Sequence, residues 1–554
     1  MSGIWQLKLS IKFSKNLECW VPLAESFVRL EMNWLLYLVA CLAACGCQAY
    51  KILVVYPMPS RSHSILGDGI VDALAETSHE ITYITPFPRG KTNFREIDLS
   101  SNLAIFPEKL INIEAQLNKT GGSLHNFTFF IDWLSQASAK TVEHPSVQAL
   151  MADANEQFDL VIVEWVYYEL LAGFSAVFNC PYIWVSSADP HWKIVSLVDD
   201  ILNPAYNSDA ISNNFPPLTF VQRLQELGFL LGGLYVQEFF IDRIQYSDFD
   251  RLFAPAIARR GHQVPSFTDL KYNASLVLSN SHLSIGKSVK LPPNFIPIAG
   301  YHIKRKVEPL PENLQKFMSN AKEGVIYFSM GTNLKSKYMP AQLKQDLLKM
   351  FSQLKYSVIW KFEEEIPNTP SNVLITQWAP QQSILAHPNC KLFITHGGLL
   401  STTEAVHFGK PIIVIPVFAD QFSNADRAVQ KGYAIRIELS YNLADDIRAT
   451  IAAILNDPKY ALKSKELSFI YHDRPVSPDK EMVHWVEHVI KTKGARHLRS
   501  PAFGVPMYQK LYLDLLAIIA IVLYIIIYLI KRIIAYIFCS KTETNKVAKK
   551  KKKQ

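Results

Sequence analysis

The sequence predicts an α/β protein in two halves, each a parallel sheet with helices on both faces, facing each other across a cleft, with one apolar helix near the C-terminus. Three observations predict it. Short apolar runs alternate with amphipathic stretches through both halves, which implies parallel sheets covered on both sides. No Gly-x-Gly-x-x-Gly follows the first apolar run, so the fingerprint of a nicotinamide dinucleotide fold is absent. The run from Leu515 to Ile530 carries no charge, and with Leu511 to Leu513 before it the segment reaches a bilayer thickness.

In chain order, Lys51 to Tyr56 reads as the first strand, followed by a Pro-Ser loop, a helix from about Ser64 to Glu76 and a second strand from Glu80 to Thr85. Leu160 to Val163 is a further strand, with Glu164 at its carboxyl end. Pro216 to Phe253 has a helical rhythm rich in large apolar residues, including Phe229, Leu230, Leu231, Phe239 and Phe240. Core packing is the favoured reading of that stretch, with a lipophilic acceptor wall or a membrane-touching surface as the alternative. A proline-rich linker covers 291–303. Strands then recur at Val325 to Met330, Val358 to Phe362, Val373 to Thr376, Leu392 to Thr395 and Ile412 to Val417, between helices such as Gln342 to Leu354. The 554 residues fit two large α/β domains, 50–290 and 304–494, either of which can bury a sizeable core.

The ends are of another kind. Residues 1–49 form a leader whose apolar stretch, Trp34 to Ala49, ends in Cys47-Gln48-Ala49, as a cleaved signal peptide would. Met32 stands where a compact signal peptide would begin and reads as an alternative start. After a juxtamembrane stretch, 495–510, the segment 511–532 is long enough to span a bilayer, with Lys531 and Arg532 stopping it. From Lys531 onward, nine Lys or Arg face the single acid Glu543, a net +8 equal to the whole chain's +8, so everything before this tail sums to zero. The basic balance is therefore a tail property, and a nucleic-acid-binding body is excluded. A cleaved signal with one stop-transfer span puts the body in a lumen and the tail, 533–554, in the cytosol as a single-pass type I protein. Lys551-Lys552-Lys553-Gln554 resembles a dilysine retrieval signal, which points to the endoplasmic reticulum membrane. Asn118, Asn126 and Asn273 open three N-glycosylation sequons between the apolar segments. Outside leader and tail only Cys180 and Cys390 remain, so at most one disulfide is possible, and buried thiols are the favoured reading.

Residues 378–421 carry the chemistry. A ligand with a flat base, a ribose, a diphosphate and a ring of hydroxyls needs four kinds of group, and this run offers each of them in order. Trp378 presents a stacking face. Gly397 and Gly398 form a turn into a helix from about Leu399 to Phe408, where free N–H groups and the helix dipole favour a diphosphate. Ser401 adds a hydroxyl in the first turn, and Glu404 can accept from both ribose hydroxyls. Asp420 and Gln421, after the next strand, supply an acceptor and a mixed donor-acceptor for sugar hydroxyls. In the first half, His63 lies seven residues after Tyr56 in the loop leading to the helix, facing the cleft, where an imidazole suits a general base near neutrality. Glu164 can hold its far ring nitrogen. The only Asp-x-Asp, Asp248-Phe249-Asp250, falls in a helical stretch rather than after a strand and reads as a solvated helix end.

From Lys51 to about Lys493 the chain resembles the membrane-bound UDP-glycosyltransferases of animals, insect members in particular. The resemblance implies a GT-B fold of two Rossmann-like domains, an acceptor-binding front and a donor-binding rear. It also implies inverting transfer of a hexose from a UDP-sugar, glucose favoured over glucuronate, to a small lipophilic acceptor, as in detoxification. Carried over, His63 takes the base position and Glu164 that of its acidic partner. Trp378 and Gln381 take the nucleobase positions, His396, Gly397, Gly398 and Ser401 the diphosphate positions, Glu404 the ribose position, and Asp420 and Gln421 the sugar positions. Ser329, Gly331 and Thr332 match a loop that approaches the phosphates and sugar. The UDP-sugar is a co-substrate; no cofactor or metal is expected, and a homo-oligomer is left open. Two residues depart from the pattern: Glu164 is one methylene longer than the usual Asp, and Leu400 replaces a common Asn. These departures also allow a non-catalytic lumenal lipophile-binding protein that keeps the fold.

Overall fold

Thirteen parallel strands in two sheets set the architecture of this computed structural model, which describes residues 49–106, 113–118 and 127–552. The leader up to residue 48 with Met32, Lys119 and Thr120 of the first sequon, Asn126 of the second, and Lys553-Gln554 lie outside the described residues.

The front sheet comprises β1 (Lys51–Val55), β2 (Glu80–Thr85), β3 (Arg95–Asp98), β4 (Leu160–Trp165), β5 (Tyr182–Ser186), β6 (Leu276–Ser279) and β7 (Phe295–Pro297), in the order β3-β2-β1-β4-β5-β6-β7. The rear sheet comprises β8 (Val325–Ser329), β9 (Ser357–Lys361), β10 (Val373–Thr376), β11 (Cys390–Thr395), β12 (Ile412–Val414) and β13 (Ala434–Arg436), in the order β10-β9-β8-β11-β12-β13. The central strands are buried on both faces, as the unbroken Ile52-Leu53-Val54-Val55 and Leu392-Phe393-Ile394 runs require of parallel strands covered by helices. Each sheet reverses its strand order once, between β1 and β4 and between β8 and β11, and ligands bind in the crevice outside such a switch point. Register makes these edges level. Val55 pairs with Val163 and Ser329 with Thr395, so the loops that leave the paired strands start side by side.

Several boundaries differ from the sequence reading. The linker 291–303 contains β7, which hydrogen-bonds to β6, so the front sheet runs on to Pro297. The rear domain does not end as a unit at 494: the helix Pro478–Lys491 crosses back, and Met482, Val486 and Val489 complete the core around Ile52, Val54 and Ile70 of the front domain. In the other direction, Ile113 of the front half is buried in the core of the rear domain. Helical periodicity can mark an apolar face but holds no information about which sheet that face covers.

Within 216–253 the chain is helical from residue 220 to residue 252, as Phe220–Val236, a π turn at Gln237–Ile241 and Asp242–Leu252. The core-packing reading fails for most of it. Leu230 is buried, whereas Phe229, Leu231, Phe239 and Phe240 are exposed. At the C-terminus one helix runs Leu513–Lys551, and its portion Leu513–Cys539 is long and apolar enough to cross a membrane. The apolar portion begins two residues later than the predicted 511 and extends beyond Lys531 and Arg532, because Lys and Arg are good helix formers and interrupt hydropathy without interrupting the helix. Cys180 and Cys390 are free thiols in different domains, and burial pushes them up to about 12 and about 11.

Candidate active site

Both domains line one cavity of about 1830 Å³ at the carboxyl edges of their sheets, and His63 and His396 both face it. His63 belongs to the first turn of the helix Arg61–Ala75, which begins three residues before the predicted start and takes in what was read as loop. Its Nδ1 stands 2.5 Å from Oε1 of Glu164, whose side chain is fully buried on β4. An ionised carboxylate only accepts hydrogen bonds, so the proton sits on Nδ1 and Nε2 is left as the basic atom. The extra methylene of Glu164 is no obstacle to contact. Ser187, just past β5, donates to the same Oε1 at 2.8 Å and fixes the carboxylate's orientation. Burial alone would lower the imidazole pKa, but the Glu164 charge and hydrogen bond outweigh it, and the net direction is upward. Asp420 of the rear domain adds to the rise, so the two lobes already sense each other electrostatically across the cavity.

On the rear edge the imidazole of His396 is held between two glycines. A Cβ on Gly331 would lie 2.6 Å from His396 Cε1, and one on Gly398 would lie 2.6 Å from Nε2. Gly331 and Gly397 also have φ of +81° and +84°, which a side chain would strain. Burial, aided by the charge of Lys361, lowers His396 to about 4, so at neutral pH it is an uncharged imidazole. Gly398 caps the helix Leu399–His407, whose N-terminal N–H groups open beside it. Ser329 lies at the end of β8 and, like Thr332, lines the same cavity.

Glu404 is buried on that helix and holds a ready network. Gln381 Nε2 donates to it at 2.6 Å and to Ser401 at 3.3 Å, and Gln382 Nε2 donates to its other oxygen at 3.2 Å. His302, in the connection between domains, stands 3.5 Å from the same carboxylate. Trp378 is 58 % exposed at the cavity rim, so a ring face is free. Gln421 departs from the expected mixed donor-acceptor role: its Oε1 is taken by the N–H groups of Val417 and Phe418, at 2.9 and 3.1 Å, which leaves the amide N–H groups to face a ligand. Asp420 accepts from Asn424 at 2.8 Å, and burial raises its carboxyl pKa.

Asn118, Asn273 and the acidic pair sit away from this cavity. Asn118 accepts from Tyr441 and Asn273 from Arg499, each on the surface. Asp248 lies in the helix Asp242–Leu252 and is engaged by Ser135, Tyr168 and Arg251.

The structure adds residues that sequence reasoning missed. Lys361 ends β9 and is nearly buried, with Nζ 2.9 Å from Gly331 O and 2.9 Å from Glu363. It faces the cavity beside His396, and its strand-end position is the same signal that singled out Glu164. Asn333 exchanges hydrogen bonds of 2.9–3.0 Å with Ser60, joining the β8 loop to the β1 loop across the cleft. Arg427 pairs by charge with Asp189 of the front domain at 2.8 Å and donates to Ala210 O at 2.8 Å, with both charged groups buried. It also donates to Asn424, which in turn holds Asp420 and, at 2.9 Å, Gly397 O. Leu400, in place of a polar residue, packs against the front-domain core.

Two parallel sheets of Rossmann type around a shared cleft make up the GT-B fold. The fold is shared with solved structures of the glycotransferase of kitacinnamycin (TM-score 0.50, 17 % identity, 80 % of this chain and 99 % of that one) and of VinC in complex with DTDP (TM-score 0.50, 16 % identity, 80 % and 100 %). The chain belongs to the UDP-glucoronosyl and UDP-glucosyl transferase family, whose profile matches residues 51–554. Similar curated proteins include UDP-glycosyltransferase UGT5 of Dactylopius coccus (32 % identical, 87 % of this chain and 91 % of that protein) and UDP-glucosyltransferase 2 of the same insect (32 %, 90 % and 96 %). UDP-glucuronosyltransferase 2B13 of Oryctolagus cuniculus is 32 % identical over 59 % of this chain and 61 % of its own length.

Proposed function

We propose that this membrane-anchored UDP-sugar glycosyltransferase transfers a hexose, glucose in preference to glucuronate, to a hydroxyl of a small lipophilic acceptor by a single inverting displacement. The observation that carries the reading is the pairing, on one cavity, of a carboxylate-held imidazole from the front domain with a glycine-flanked turn and helix N-terminus from the rear. His63 Nε2 takes the acceptor's proton while Glu164 stabilises the resulting imidazolium. The acceptor oxygen forms a bond to the anomeric carbon as the bond to the UDP oxygen breaks, and the charge left on the diphosphate meets donors already in place: the N-terminal N–H groups at Gly398, Ser401, and a neutral His396. Trp378 stacks on the base, Glu404 takes the ribose hydroxyls once its glutamine partners yield, and Asp420 and Gln421 hold the sugar.

The relatives named for glucosyl transfer support glucose, though one named for glucuronosyl transfer matches as well. The apolar portion Leu513–Cys539 of the last helix supports an anchor, and the signal and retrieval motifs of the sequence support a body in the endoplasmic reticulum lumen. The test is a donor panel of UDP-glucose, UDP-galactose and UDP-glucuronate with a set of phenols, read by product mass. A hexosylated phenol formed fastest with UDP-glucose is expected. Acceptor-dependent transfer of glucuronate alone overturns the sugar assignment, and tight phenol binding without UDP release from any donor replaces the enzyme with a lipophile binder.

A further inference from the structure

The helix Phe220–Val236 carries its apolar stripe on the wrong side for a soluble domain. Helices on a protein surface turn such stripes inward. Here Phe220, Leu224, Leu227, Leu231 and Tyr235, spaced four, three, four and four residues apart, line one flank, and they are 72, 60, 41, 56 and 57 % exposed. The opposite flank does the ordinary work of holding the helix to the domain. Glu226 is buried and takes hydrogen bonds from Asp209 N and Asn214, Leu230 is buried, and Gly233 lies so close to Trp192 that a Cβ would stand 2.6 Å from its ring. The outward stripe is therefore not a docking error of the helix, whose inner face is satisfied.

The chain entering the apolar C-terminal helix is bound to the same domain. Arg499 donates to Asn273 at 2.8 Å, Phe503 packs on Tyr272 with ring centroids 5.8 Å apart, Ser500 donates to Asp199, and Lys510 bonds to Asp200 at 3.2 Å, three residues before Leu513. Asp199 and Asp200 open the segment that leads into the helix Phe220–Val236, so where the span enters a bilayer the front domain, rather than the rear one, lies next to it. We infer that the outward face of Phe220–Val236 lies in the interface of the bilayer that takes the span. An amphipathic helix lying in that plane sinks its apolar face among headgroups and acyl chains, and Tyr235 suits the headgroup level.

The inner side of this helix bears on the cleft. Gly228, Phe229, Gly232 and Val236 line the cavity, and a Cβ at Gly228 or Gly232 would meet nothing within 4 Å. One helix, about 10 Å across, thus separates lipid from the chamber. A lipophilic acceptor dissolved in the membrane enters past it without crossing water, a corollary that rests on the proposed acceptor class, whereas the bilayer contact does not.

The full-length protein in vesicles tests the contact without any sugar donor. In a Cys539→Ser background, Leu224→Cys and Leu231→Cys are each labelled with an environment-sensitive dye, and Leu462→Cys, 64 % exposed on the rear domain, is the control. Brominated acyl chains are expected to quench either stripe position at least threefold more than the control. Equal quenching at all three positions overturns the inference. Dye–dye self-quenching that rises with protein density in unbrominated vesicles also overturns it, in favour of a second copy covering the stripe.

Discussion

At the scale of single residues, the pair of His63 and Glu164 sets the pH behaviour. A carboxylate 2.5 Å from Nδ1 raises the imidazole pKa, and the base works only when neutral, so the acid limb of kcat/KM belongs above the ordinary histidine value of about 6.5. Stability runs the other way. A group whose folded pKa is raised stabilises fully below the unfolded value, and that contribution fades as pH rises through the folded one. Glu164→Gln should therefore move the acid limb to lower pH and reduce kcat roughly 10²-fold, within the range for acid–base catalysis. A pH–rate profile and rate unchanged from the parent would mean that His63 works alone. His63→Ala should leave UDP affinity intact while transfer falls by about 10²–10⁴, measured by calorimetry beside product formation. Weakened UDP binding with normal turnover would remove His63 from the base role. Trp378→Ala, which loses stacking of about 1–3 kcal/mol, should raise the donor KM roughly 5- to 150-fold with every acceptor.

At the scale of elements, the parallel strands order the site by their registers. Level pairing of β1 with β4 and of β8 with β11 brings the strand-end residues together, and this is why Glu164, His396 and the glycines could be read from sequence: each follows a buried apolar run at the edge where ligands bind. The rest was illegible for reasons of geometry. Lys361 obeyed the same rule but stood in a strand without a motif, and its value lies in contacts to Gly331 and Glu363 that no spacing encodes. Gln421 looked bifunctional because its side chain is, until two backbone N–H groups claim its oxygen. Leu231 and Phe239 read as core because periodicity gives the existence of an apolar face and not its direction. The glycines of the cradle give the sharpest test at this scale. Gly331→Ala adds a Cβ 2.6 Å from His396 Cε1 at a φ of +81°, and so must displace the ring as well as strain the turn. UDP affinity should fall at least about tenfold for a stability loss near 1 kcal/mol, with acceptor affinity unchanged. UDP binding equal to the parent's would show that His396 does not touch the diphosphate.

At the scale of the molecule, the two lobes share both charge and core. Arg427 and Asp189 are buried on the seam, and the same guanidinium reaches through Asn424 to Asp420 and Gly397, so the donor site is braced against the acceptor domain. Removing one member leaves the other buried without its partner, which costs about 3–5 kcal/mol, whereas replacing both by apolar residues of similar size is far milder. Asp189→Asn should thus lower the melting temperature sharply, and Asp189→Leu with Arg427→Met should recover most of it while the donor KM stays high, because Asn424 has lost its brace. Recovery of the donor KM along with stability would confine the pair to a structural role. The crossing helix Pro478–Lys491 makes the stronger claim on the architecture. Met482, Val486 and Val489 are fully buried among front-domain residues although they follow the whole rear domain in sequence. A front lobe cut at residue 303 therefore leaves its first helix, Arg61–Ala75, without a cover, and should be insoluble until a peptide of residues 478–495 is supplied. In the full chain, Met482→Ala should cost about 2–5 kcal/mol, as for buried Met elsewhere, and the loss should appear first as exchange of front-domain amides, with the rear domain still protected. Hydrogen exchange decides between the alternatives. Early exchange in the rear strands instead would place the helix with the rear lobe, and the two halves would then fold as the separate domains that the sequence alone suggests.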